Sequence, residues 1–198
     1  MSDKPSVSTS EENRTIAKTA ATVFDGEASV HKYLDEKGNS AIALLASKDS
    51  PSKGITSYAT IGLSDYQFKV VQDKLPLGVE IIGACATESE TYANMISSIA
   101  FTVINDNQEC MPDTVFRNVV SMNDPSSTLD HALLVDPFLW PTNFDTLYFE
   151  KKAVAWLQAV PISNSELEHL ENHGVGKLHT LFSENQIDLF DIRRQSVV

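Results

Sequence analysis

An α/β fold of the α+β kind, a mixed and largely antiparallel sheet flanked by helices, is what this 198-residue sequence predicts. Three observations lead there. Apolar residues recur at three- and four-residue spacing only near the start, in the middle and toward the end. Between those stretches lie short runs of β-branched and aromatic residues bounded by Gly, Pro, Ser or Asp. The resulting order is helix, strands, helix, strands, helix, without internal repeat or linker. At 42% hydrophobic residues the chain can bury a sizeable core. A single domain over residues 11–198 is therefore expected, after a polar, disordered lead-in over residues 1–10.

Ser10 is a suitable N-cap, and Glu11 and Glu12 favour the positive end of the helix it opens. Ile16, Ala20, Val23 and Phe24 give that helix one apolar face, and Gly26 is expected to end it. Ser40 to Ser47 reads as a buried strand, with Pro51 and Gly54 turning the chain into a second strand, Ile55 to Leu63. Phe68, Val70 and Val71 follow, then a third strand, Val79 to Ala86. From Glu90 to Ile104 the period changes: Tyr92, Met95, Ile96, Ile99, Ala100 and Val103 share one helical face. Asn105 to Asp113 is a polar loop. Phe116 to Met122 and His131 to Val135 read as strands around a turn at Asp124-Pro125-Ser126. Phe138 to Pro141 is an aromatic corner, and Thr146 to Glu150 and Ala153 to Val160 are further strands. Pro161 is expected to stop the last of these. Ser163 and Glu166 have the capping-box spacing for a helix that breaks near Gly174 and resumes.

Charge is unevenly distributed. Asp73 to Glu150 holds twelve acidic and two basic side chains, a net −10 out of −12 for the chain. Clustered like charge costs stability and offers a strong field to a basic partner. The same imbalance argues against direct nucleic-acid binding and against an anionic membrane surface, both of which need Lys and Arg. No apolar run approaches the roughly 20 residues needed to span a bilayer, and residues 1–13 do not read as a secretory signal. A cytoplasmic location is expected.

Chemistry-bearing patterns are sparse. His169 and His173 are four apart on a helix, but Leu170 stands where a metalloprotease pattern needs Glu, so solvated helix histidines are the expected reading. Cys85 and Cys110 lack metal-ligand spacing; a disulfide and two free thiols both remain open, the thiols being the simpler reading. Neither a nucleophile elbow nor a glycine-rich phosphate loop occurs. No enzyme activity, metal or cofactor is expected. Phe138, Trp140 and Phe144 read as a core-covering corner, with an exposed hot spot as the alternative, and Trp156 as core.

Three blocks carry a resemblance. Gly54 to Tyr66 reads GITSYATIGLSDY, Asp136 to Trp140 reads DPFLW, and the stretch from Trp156 contains VPISNSE and ends IDLFDIRRQSVV. In this order and spacing they resemble the Suppressor of fused family in its short bacterial form, over about Glu11 to Val198. The resemblance implies a domain like the N-terminal half of the animal protein, with no catalytic residues. It further implies an immunity protein or antitoxin that silences a cognate secreted toxin, often a nuclease, by protein–protein interaction. A scaffold or regulatory binding module is the alternative. Because nuclease toxins are basic around their grooves, the acidic segment supplies the candidate toxin-binding residues: Glu88, Glu90, Asp106, Glu109, Asp113 and Asp124. Solvated loop charge and helix-end stabilisation are the competing explanations for each.

Overall fold

Ser10 begins the described structure: the computed structural model describes residues 10–66, 75–86 and 90–198. Its hydroxyl accepts the Asn13 amide at 3.1 Å and opens α1 (Glu11–Phe24), as its residue type predicts. The helix stops one residue earlier than expected, at Asp25, whose backbone is left-handed (φ 51°) and donates to Ala21 O.

Among the described residues eight strands follow in one sheet: β1 (Glu27–Leu34), β2 (Ala41–Lys48), β3 (Ile55–Ile61), β4 (Leu77–Ala86), β5 (Val115–Phe116), β6 (His131–Val135), β7 (Leu147–Tyr148) and β8 (Ala153–Ile162). Their order is β1-β2-β3-β4-β8-β6-β5, with β7 also on β8. Every pairing is antiparallel except β4 with β8, where Glu80 stands opposite Trp156. The mixed, largely antiparallel sheet is thus as the sequence predicts.

Alternation along the strands sorts the core into two faces. On one, Leu45, Ala59, Ile82 and Trp156 receive Ile16, Ala20 and Phe24 of α1. Farther along that face, Leu133, Val160 and Ile162 pack under Leu167 of α3 (Asn164–His173) and Leu178 of α4 (Val175–Glu184). The opposite face, with Ile42, Leu44, Ile81 and Leu157, is covered by α2 (Glu90–Asp106). All six residues predicted for the apolar side of α2 are 2% exposed or less.

Three local expectations need correction, and one strand, β1, was not foreseen. Strand β1 carries no amphipathic signal, because as an edge strand nearly all its side chains are exposed. Phe116 to Met122 is a strand only at its start and then a series of turns, although Val119 and Val120 are buried. The Val119 and Val120 side chains supplied the apolar signal without a ladder to join. Pro161 does not stop β8: it pairs with Ala132, and the parallel neighbour ends opposite Gln158, so its missing N–H costs no bond on that side. Finally, β4 starts at Leu77, before Val79. Phe68, Val70 and Val71 lie outside the described residues.

A buried carboxylate organises the turn between β3 and β4. Glu80 is fully buried and accepts from Thr60 Oγ1 (2.6 Å), the amides of Gly62 (2.9 Å), Leu63 (3.3 Å) and Ser64 (3.1 Å), and Ser64 Oγ (2.8 Å). Those amides converge because the chain enters a short 3-10 turn, Leu63–Asp65, through Gly62 at φ 94°. Only glycine adopts that conformation without strain. Gly78 lets the turn settle onto β4, since a Cβ there would lie 2.7 Å from Ser64 O. Lys152, 5% exposed, then donates to Asp65 (2.5 Å) and Ser64 Oγ (3.3 Å) and lies 3.4 Å from Glu12, joining β8 and α1 to the same cluster.

The third block of the resemblance closes the other end. Ser163 and Glu166 form the expected capping box at the start of α3. Glu166 is also gripped by Arg194 through two bonds, 2.6 and 2.9 Å, and accepts the Val197 amide. Arg194 further donates to Pro161 O and lies over the Phe182 ring. A charge buried this deeply needs such complete pairing.

Burial raises the Glu80 pKa from 4.5 to about 7, outweighing the hydrogen bonds from Thr60, Ser64 and Gly62 that favour its ionised form. The folded state therefore holds this proton more tightly than the unfolded chain. The stabilisation is complete below about pH 4.5 and is lost as pH rises through about 7, on the order of 3 kcal/mol in all. Urea unfolding of Glu80→Gln across pH 5 to 8 is expected to lack that slope, whatever its absolute stability. An unchanged slope would assign the dependence to another group.

Candidate functional site

The twelve acidic residues of the middle segment do not form one face. Glu80 is internal, and Asp130 accepts from the Asn164 side chain. Asp124 is 7% exposed, bound by Arg193 through Nε (3.0 Å) and Nη2 (2.8 Å) and by Ser126. The Ser126 hydroxyl and Arg193 hold its carboxyl below the usual range. Asp124 thus fastens its turn to the C-terminal segment and presents no free carboxylate. Glu88 lies outside the described residues.

Four candidates remain at the surface: Glu90, Asp106, Glu109 and Asp113 are exposed, and none forms an ion pair among the described residues. They are not all neighbours. Glu90 and Asp106 terminate opposite ends of α2, roughly 24 Å apart at 1.5 Å per residue. Glu90 has a local explanation, because an acid in the first helical turn complements the dipole. Asp106 has the opposite: it sits in the last turn, where negative charge is unfavourable and no basic residue offsets it. Asp113 sits in a left-handed turn (φ 68°) pinned by its amide to Leu134 O.

Two surface depressions adjoin two of these carboxylates, Asp106 and Asp113. A cleft of about 900 Å³ lies between the β1–β2 turn and α2, lined by Asp35, Glu36, Asn105 and Asp106 together with the exposed Leu34 and Met122. Asp35 accepts the amides of Asn39 (2.6 Å) and Ser40 (3.0 Å), which lower its pKa. A groove of about 670 Å³ lies between the corner after β6 and α4; Asp113, Asp136, Phe138, His179, Phe182 and Leu189 are among its lining residues. The sequence reading did not single out Asp35, Glu36 or Asp136 as binding residues. Asp35 and Glu36 lie in a segment with nearly balanced charge.

The aromatic corner divides its residues. Trp140 is 7% exposed, stacks near Phe24 and Phe144, and donates from its indole to Ser57 Oγ at 2.9 Å. Phe144 in turn packs on Trp156, with ring centroids 4.8 Å apart. The three sequence blocks therefore meet in the core through Ser57, Trp140 and Trp156. Phe138 points away, 55% exposed.

Among the described residues there is no cluster of three His, Cys, Asp or Glu that could hold a metal. His169 and His173 stack at 4.3 Å, and His173 Nδ1 contacts the His169 carbonyl. Cys85 and Cys110 are buried and form no disulfide, which settles the alternative left open above; burial pushes the Cys110 thiol up to about 12, away from nucleophilic use. No helix among the described residues is long and apolar enough to cross a membrane.

Comparison with known proteins gives concordant results. A family model described as Suppressor of fused protein matches residues 38–195. The immunity protein YqcF of Bacillus subtilis (strain 168) is 44% identical over 188 residues, covering 95% of this chain and 98% of that one. Among solved structures, a putative Suppressor of fused homolog from Neisseria gonorrhoeae superposes with a TM-score of 0.69 at 18% identity, covering 94% and 96% of the two chains. Drosophila Suppressor of Fused gives 0.60 at 15% identity, and the chain spans 92% of its own length but 50% of that protein.

The charge roles separate by experiment. Asp106→Lys is expected to raise the unfolding free energy by about 0.5 kcal/mol, by relieving the helix end. Asp124→Asn should lower the urea midpoint by breaking the Arg193 pair. Equal effects of the two substitutions would contradict these assignments.

Proposed function

Because the chain belongs to the Suppressor of fused family, we propose that it is an immunity protein, which binds a cognate toxin in the producing cell and neutralises it without catalysis. One observation carries the reading: the 44% identity to an immunity protein extends across 95% of this chain. The surface is compatible with such a role. A chain of formal charge −12 exposes carboxylates that form no ion pair among the described residues, including one that opposes its helix dipole. Retaining charge at a local cost is expected where a partner uses it.

The partner's chemistry follows from the same surface. A basic protein is attracted, and a nuclease toxin, whose groove must attract phosphate, is the class we favour. Carboxylates at Glu90, Asp106, Glu109 and Asp113 then compete with nucleic acid for that groove and accelerate encounter. Action in the cytoplasm, where a toxin would reach the producer's own nucleic acid, belongs to the same proposal.

Co-expression with the toxin-like product of the adjacent reading frame tests the role. Growth rescue and co-purification are expected; neither occurring, with a different cellular protein captured, would favour a regulatory binding module. Combining Glu90→Lys, Asp106→Lys and Glu109→Lys is expected to slow association about 10-fold at low salt and to flatten its salt dependence. Unchanged association rates at low and moderate salt would remove these three carboxylates from the interface.

A further inference from the structure

We propose that the groove between the Asp136–Phe138 corner and α4 seats a segment of the toxin that carries an apolar anchor beside a Lys or Arg. The inference rests on the immunity reading above and adds the docking site and the chemistry of what docks there.

The groove has the composition of a recognition site. Phe138, Phe182, Ile187 and Leu189 give it an apolar lining, and Asp113 and Asp136 stand on it as exposed carboxylates. No lysine or arginine lines it, and neither carboxylate is ion-paired among the described residues. Two uncompensated negative charges beside apolar walls attract a cation more strongly than they would in open water. Charge complementarity therefore selects a basic side chain, and the apolar lining selects an anchor next to it.

Its geometry is held in place before any partner arrives. The Asp113 amide is fixed to Leu134 O at 2.8 Å, and Asp136 directly follows the last residue of β6. The Phe138 amide donates to Gln158 Oε1 at 3.1 Å, and Gln158 is 1% exposed in the middle of β8. Trp140, two residues on, is locked into the core. The backbone thus holds Phe138 outward while its neighbours are buried. An aromatic ring presented on a rigid backbone binds with little loss of conformational entropy, and such rings are common binding hot spots.

The test measures the dissociation constant between the full chain and the product of the adjacent reading frame. Asp113→Asn with Asp136→Asn removes both charges and keeps a residue that tolerates the left-handed turn. Binding is expected to weaken at least about 10-fold, and by a similar factor for Phe138→Ala. Glu27→Gln with Glu150→Gln makes the same change in net charge away from both depressions and is expected to stay within about 3-fold of the unaltered protein. Hydrogen exchange on the unaltered complex should show new protection over residues 135–139 and 179–189. Groove variants that bind within about 3-fold, a control that weakens equally, or no new protection would each overturn the proposal. If the unaltered protein neither binds nor protects, the immunity reading itself fails and the groove assignment falls with it.

Discussion

The Glu80 carboxylate is the constraint on which the rest of the molecule depends. It is fully buried, and its acceptor capacity is filled by the hydroxyls and amides of the segment from Thr60 to Ser64. An unsatisfied carboxylate at this depth would be prohibitive, so the segment from Thr60 to Ser64 must hold that geometry. Through Ser64 and Asp65 the cluster reaches Lys152, and through Lys152 it reaches Glu12. One polar knot thus fixes the position of β3, β4, β8 and α1. It also explains why the SYATIGLSD stretch is so recognisable: nearly every polar residue in it serves architecture.

Architecture and recognition therefore use different carboxylates. Glu80, Glu166 and Asp124 are consumed by internal donors, whereas Asp106, Glu109, Asp113 and Asp136 are left to solvent. Internal acids sit where the chain has surrounded them with amides, hydroxyls or guanidinium groups. Of the surface acids, Asp113 is tied by its amide to β6, and Asp136 lies two residues before Phe138, whose amide is tied to β8. A rigid scaffold presenting unpaired charge is what rapid, specific capture of a basic protein requires.

Much of the fold was legible because buried strands and amphipathic helices write themselves in apolar spacing. All six α2 contact residues, the Ser10 cap and the Ser163–Glu166 capping box follow from residue type and interval alone. What escaped has a common cause. An edge strand such as β1 has no buried face to mark it, and Pro161 breaks a strand only where its N–H is needed. For the binding surface, summing charge along the chain misleads because it counts Glu80 and Asp124 with the exposed acids. Glu90 and Asp106, expected on either side of a helix, are held at opposite ends of α2. The groove was illegible because Asp113, Phe138 and His179 are brought together only by tertiary structure.

The parallel pairing of β4 with β8 has a kinetic consequence. On one side of it, β1 to β4 form a meander whose neighbours are close in sequence; on the other, β8 gathers β6 and β7 in the same local way. Joining them requires Glu80 to meet Trp156 across the whole intervening chain, including α2. Closing so long a loop costs more entropy than forming any hairpin in the sheet. The two halves are thus favoured to form early, and the seam between them late. Until it closes, β4 and β8 each expose an unpaired edge, and that interval is when the newly made chain is most open to joining the wrong neighbour.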